Sequence, residues 1–266
     1  MSLEDHSRLM LEVKKLTKYF GGLAAVNELD LRVNPTEILG LIGPNGAGKT
    51  TFFNVASGFF PPTSGRVLFD GRDITRLKAH DIAHLGISRT FQASTLFMKL
   101  SVLENVFTGY HMSYQTGFLK RILHTPSARK EEAEFRQRAL EILEFMGLAS
   151  LKDELAANLP HGHQRILGVC MALTTNPKLL LLDEPVTGMN PNETENMIHL
   201  IRQIRDKGIT IILVEHDMKV VMDLCDRIIV LNFGKKIAEG RPDKIKEDKE
   251  VIEAYLGKEE IQPDAA

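Results

Sequence analysis

Three short stretches of this 266-residue chain carry residue types at spacings suited to phosphate chemistry. Residues 43–51 read GPNGAGKTT and satisfy G-x-x-x-x-G-K-[ST]. Glycines at Gly43, Gly46 and Gly48, with Pro44, Asn45 and Ala47 between them, let the backbone wrap so that consecutive N–H groups face phosphate oxygens. Lys49 adds a compact positive charge for the β and γ phosphates, the Thr50 hydroxyl can ligate Mg²⁺, and Thr51 completes the motif. A chain of ordinary composition contains about 0.01 accidental matches to this pattern. The stretch therefore reads as a nucleoside triphosphate site. Leu179–Pro185, LLLLDEP, ends in paired carboxylates. Asp183 is placed to hold the magnesium through water, and Glu184, projecting to a different side, is placed to polarise an attacking water as general base. Alone, such a pair would read as a solvated turn; the upstream phosphate loop decides otherwise. The apolar run 209–214 ends in Glu215, His216 and Asp217, where His216 can reach a γ-phosphate or stand as a plain surface histidine. Gln92, in RTFQ, is a further candidate ligand for magnesium or the attacking water.

These residues need elements to position them. Ile38–Ile42, Leu179–Leu182 and 209–214 are near-continuous apolar runs and predict central strands covered on both faces, with another over 86–91. Leu9, Leu11 and Val13, then Leu29, Leu31 and Val33, alternate as half-buried strands do. Helical patterns cover 49–57, 129–146, 163–175 and 191–205. Strands alternating with helices imply a mostly parallel sheet, hence an α/β fold. Residues 94–159 depart from the alternation; their best signal is the stripe Phe135, Ala139, Ile142 and Met146, which predicts a helical insertion packed on its own domain. The last residues, 258–266, lack periodicity and predict a frayed tail.

Composition narrows the class. With 33 Lys and Arg against 35 Asp and Glu the net charge is −2, an ordinary globular balance that argues against a nucleic-acid binder. Two cysteines, Cys170 and Cys225, without metal-ligand or CxxC spacing, suggest a reduced cytosolic chain. The N-terminal residues do not read as a secretory signal and the longest apolar stretches are too short to span a bilayer, so a membrane role calls for a partner.

The order of GPNGAGKTT, Gln92, NLPHGHQR, LLLLDEP and VEHD resembles the ATP-binding subunit of ATP-binding cassette (ABC) transporters over about residues 9–240. Within that family, GISRTFQ with LFMKLSVLENV, and NLPHGHQR with LLLLDEPVTGMNP, are most similar to the ATPases of branched-chain amino acid importers. The resemblance implies a P-loop NTPase core of residues 9–93 and 160–240 with an N-terminal antiparallel β region, an inserted helical subdomain at 94–159, and a C-terminal helix and tail at 241–266. It makes Phe20 the aromatic that stacks on adenine, with Tyr19 as the fallback and a core phenylalanine as the plain alternative. Gln92 becomes the link to the transmembrane partner, Glu184 the catalytic glutamate and His216 the switch histidine. Asn190 takes the D-loop position, while Asn190, Pro191 and Glu193 also spell a capped helix start; both roles are compatible.

The usual signature LSGGQ is replaced by Leu159, Pro160, His161, Gly162 and His163, followed by Gln164. Pro160 has neither hydroxyl nor N–H, so two donors toward the partner's ATP are lost, while Gly162 and the helix start near His163 remain. The helix also lacks the charged residues that relatives often carry, at Ile166, Gly168 and Met171. Together these features imply a heterodimer with two unequal ATP sites. The resemblance further implies ATP and Mg²⁺ as cofactors, two separate permease subunits, a periplasmic or extracellular binding protein in the same system, and a peripheral place on the cytoplasmic face of the cell membrane. Rival readings are an ATPase of a lipid or lipopolysaccharide exporter, a soluble ABC-type ATPase acting on nucleic acid or ribosomes, and a nucleotide-gated scaffold with little turnover.

Overall fold

The computed structural model describes residues 9–90, 96–113 and 125–256. The described residues form two compact units, one within residues 9–82 and 210–256 and one within residues 83–209.

In the first unit, strands β1 (Leu11–Phe20), β2 (Leu23–Val33), β4 (Ser64–Phe69) and β5 (Arg72–Asp73) form an antiparallel sheet in the order β2-β1-β4-β5. Alternation along β1 ends after Val13 because the register slips there, with Lys15 in a left-handed conformation, φ 44°, its N–H donating to Asp30 Oδ1 at 3.0 Å. The strand therefore runs on to Phe20, beyond the stretch whose alternation marks it. Strand β3 (Ile38–Ile42) lies parallel to β8 (Thr210–Val214) and to β9 (Arg227–Asn232), which pairs antiparallel with β10 (Lys235–Gly240). All five residues of β3 and of β8 are buried, as continuous apolar runs require. Helix α1 (Lys49–Ala56) belongs to this unit, as does the first half of α2 (Ala79–Leu85), whose last three residues fall in the second. Helices α7 (Met218–Leu224), α8 (Pro242–Glu247) and α9 (Lys249–Leu256) also belong to the first unit. Arg227 fastens the far end of the sheet: Nε donates to Glu37 Oε1 at 2.7 Å, Nη2 to Arg32 O at 2.6 Å, and Nη1 pairs with Glu239.

In the second unit, β6 (Ile87–Arg89) runs parallel to β7 (Leu179–Asp183), again wholly buried. Around them stand α3 (Val102–Thr108), α4 (Pro126–Phe145), α5 (His161–Leu173) and α6 (Pro191–Asp206). Helix α4 buries Ala128, Phe135, Ala139 and Leu143, while Ile142 is half-buried. The core face follows the i, i+4, i+8 row, so Leu143 takes the place assigned to Ile142 in the stripe. Tyr110 stacks on Phe135 with ring centres 4.9 Å apart. Helix α5 begins at His161, two residues earlier than its pattern suggested, with Pro160 in extended conformation ahead of it.

Candidate nucleotide site

The first unit supplies the phosphate loop. Strand β3 ends at Ile42, the chain turns through Gly43–Gly48, and α1 begins at Lys49. The turn depends on its glycines: Gly43, Gly46 and Gly48 have φ of 148°, 79° and 106°. A Cβ on Gly48 would lie 2.4 Å from Ala25 O. No side chain caps α1 at Gly48, which leaves its N-terminal end to a ligand. Lys49 is buried, and its ammonium donates to Gly43 O at 2.7 Å and Pro44 O at 3.0 Å. The charge for the phosphates is thus folded onto the loop that cradles them. Pro44 and Thr51 are half-exposed, Asn45 and Thr50 exposed, and Ala47 is buried beneath the turn.

Phe20 stands at the β1–β2 turn, 45% exposed, as is Tyr19. It is no core phenylalanine. It meets Phe60 edge-on at 5.3 Å, and the Lys18 ammonium lies over both rings. An exposed aromatic braced from one side fits a stacking role. His216 stands two residues past the end of β8, its side chain exposed and its N–H donating to Glu215 Oε2 at 3.0 Å. Asp217 caps α7, accepting from Lys219 N at 2.8 Å.

The second unit carries the paired carboxylates. Asp183, at the end of β7, is 3% exposed; its N–H donates to Thr90 Oγ1 at 3.2 Å and its Oδ2 accepts from Arg89 Nη2 at 2.8 Å. Its Oδ1 is buried with no hydrogen-bond partner. Glu184 has φ 51°, a left-handed turn that breaks the strand's alternation and leaves its side chain half-exposed, with Thr187 Oγ1 donating to Oε2 at 3.4 Å. Backbone strain of this kind at a strand end accompanies functional side chains. Asn190 is the N-cap of α6 in a reciprocal capping box with Glu193, both hydrogen bonds 3.0 Å long, and Pro191 sits at the first helical position. The capping reading of Asn190 holds.

The altered signature opens α5. Pro160 offers no cap, so this N-terminus is also bare, while Gln164 Nε2 reaches back to Leu159 O at 3.0 Å. A Cβ on Gly162 would lie 2.7 Å from the Glu193 carboxyl carbon, and one on Gly188 would lie 3.0 Å from His161 Cε1. Gly188, at φ 80°, needs glycine, whereas at Gly162 the obstacle is the end of the Glu193 side chain; both seat the signature against the segment that follows Glu184. His161 is exposed, whereas His163 is half-buried with Nδ1 lacking a partner. Gln92 lies outside the described residues. Arg89 was missed in the sequence; the only sign was a charge in the otherwise uncharged stretch before Gln92, and its partner is 94 residues away.

Comparison with known proteins agrees with this arrangement. The ABC transporter family model matches residues 26–187, and the model for the branched-chain amino acid ATP-binding cassette transporter matches residues 235–261. Among solved structures, a nucleotide-free ATP-binding cassette from an ABC transporter is similar with TM-score 0.83 and 33% identity, covering 94% of this chain and 99% of that one. A dimeric cassette in a post-hydrolysis state with ADP and Pi is similar with TM-score 0.74 and 26% identity, over 88% and 99%. Fold and phosphate loop thus define an ATP-binding cassette. The high-affinity branched-chain amino acid transport ATP-binding proteins LivG of Escherichia coli and BraF of Pseudomonas aeruginosa are 44% and 42% identical, each over 94% of this chain and 99% of theirs. The chain belongs to the ABC transporter family, in its branched-chain amino acid branch.

Proposed function

We propose that this chain is the ATP-hydrolysing subunit of an importer that takes up branched-chain amino acids through separate permease subunits. The observation that carries the reading is the glycine-built loop ahead of an uncapped helix, with Lys49 held against it. The family match over residues 235–261 favours this cargo over a lipid or lipopolysaccharide exporter. No helix among the described residues is long and apolar enough to cross a membrane, which accords with a peripheral subunit on the cytoplasmic face that works with permeases and an external binding protein.

The loop amides and the α1 N-terminus bind the phosphates, Lys49 turns from its carbonyls to them, and Phe20 stacks on the base. The unpartnered Oδ1 of Asp183 suits a divalent ion; with Thr50 and Gln92 it would hold Mg²⁺, which when bound supplies charge neutralisation at the β and γ phosphates. Among the described residues no cluster of three His, Cys, Asp or Glu side chains forms a metal cage, as fits an ion whose remaining ligands are phosphate and water. Glu184 orients and deprotonates the attacking water, and His216 contacts the γ-phosphate. Residues 160–164, with Asn190, face ATP bound by a second cassette, so triphosphate favours the closed pair and diphosphate releases it. The loss of donors at Pro160 supports a heterodimer in which this chain's own Lys49 and Glu184 meet a complete partner signature.

The test is Mg²⁺-dependent ATP hydrolysis by the purified chain, alone and with its partner subunits. Glu184→Gln should keep ATP binding and lose at least about 100-fold in turnover; retained turnover would remove Glu184 from the mechanism. Full activity of a pure homodimer would overturn the unequal-site reading.

A further inference from the structure

Strand β6 carries a cation into the interior of its unit. Arg89 Nη2 lies 2.8 Å from Asp183 Oδ2, with side chains 8% and 2% exposed. The strand end that bears Arg89 is pinned beside Asp183: Arg89 pairs in register with Leu181, Thr90 N–H donates to Leu181 O at 2.9 Å, and the Asp183 N–H donates to the Thr90 hydroxyl at 3.2 Å. One carboxylate oxygen of Asp183 is therefore taken by a built-in cation, and the other is buried with no hydrogen-bond partner. Desolvation largely cancels the attraction in such buried pairs, so folding stability alone is a poor reason for one. Here the pair sits on the residue assigned to the metal.

We propose that Arg89 is a positioning residue, the standing counter-ion of Asp183, which fixes its carboxylate before nucleotide arrives and opposes a divalent ion that arrives without phosphate. The inference rests on the reading of Asp183 as a Mg²⁺ ligand. A cation already in contact with Asp183 lowers its attraction for a second one, and phosphate oxygens must make up the difference. Metal capture is thereby conditional on nucleotide.

The experiment compares the affinity of the full chain for a non-hydrolysable ATP analogue in excess Mg²⁺ and in EDTA, by calorimetry; the ratio of the two dissociation constants is the metal's coupling to the nucleotide. Arg89→Gln keeps a donor toward Oδ2 and removes the charge, so the metal no longer waits for nucleotide and the ratio should fall about tenfold. Arg89→Lys keeps the charge and should stay within about threefold of wild type. Should the amide variant fail to fold, Arg89→Met, which retains the apolar stem, gives the same reading. A neutral variant with an unchanged or larger ratio, or a lysine variant that behaves as the neutral ones do, overturns the proposal and leaves the nucleotide-site reading standing. A wild-type chain whose analogue affinity ignores Mg²⁺ overturns both.

Discussion

A methyl group at Gly43 would sit 2.1 Å from the carbonyl oxygen of Leu231, on a backbone with φ 148°. Nothing flexible can give way there, because the obstacle is the backbone of β9. Gly43→Ala should lower unfolding stability by about 3 kcal/mol or more and abolish ATP binding, measured by denaturant midpoint and calorimetry. At Gly46 the same methyl meets nothing within 4 Å, and only the left-handed φ of 79° opposes it. Gly46→Ala should cost about 1 kcal/mol. The two substitutions separate a loop glycine that makes room from one that only makes a turn. Gly168 is a third case: a Cβ there touches nothing and its φ is not left-handed. Glycine inside a helix carries a penalty that alanine removes, and Gly168→Ala should stabilise by about 0.5–1 kcal/mol.

At the scale of elements, helix α6 depends on its first turn. Asn190→Ala removes one half of the capping box and should cost about 1 kcal/mol, while Asn190→Asp should stay near wild type, both read from urea unfolding. That start was legible because cap, proline and acid fall within four consecutive residues. The buried strands β3, β7 and β8 were legible for a similar reason: each is five residues buried throughout, so composition alone marks it. Strand β1 was read short because its register slip at Lys15 destroys the alternation on which reading a half-buried strand depends. Helix α3 escaped notice although Ser101 and Glu104 form a capping box, a signal present in the sequence. In the site, the contiguous motifs could be read, whereas the Arg89–Asp183 pair could not: register between two strands decides it, and no local pattern encodes that register.

Across the whole molecule, protonation of buried groups limits the range of conditions the fold tolerates. Burial, with the ring stacked on Phe135, pushes the Tyr110 hydroxyl up to about 12, whereas in an unfolded chain it titrates near its ordinary 10.0. The native state therefore favours the protonated phenol, so this contribution is complete below pH 10 and is lost as pH climbs toward 12. It amounts to about 3 kcal/mol at most, and Tyr110→Phe should flatten the alkaline fall in melting temperature between those limits. Cys170 and Cys225 are governed by the same physics: both are buried, and desolvation raises both thiols, Cys225 to about 12 and Cys170 further. A native chain should consume no thiol reagent and an unfolded one should consume two equivalents. The protein is thus already a blank for site-directed labelling. A single cysteine introduced at an exposed position away from the nucleotide site, such as Glu134, would take up a fluorophore alone, and opening and closing of the cassette pair could be followed through a transport cycle without first removing a native residue.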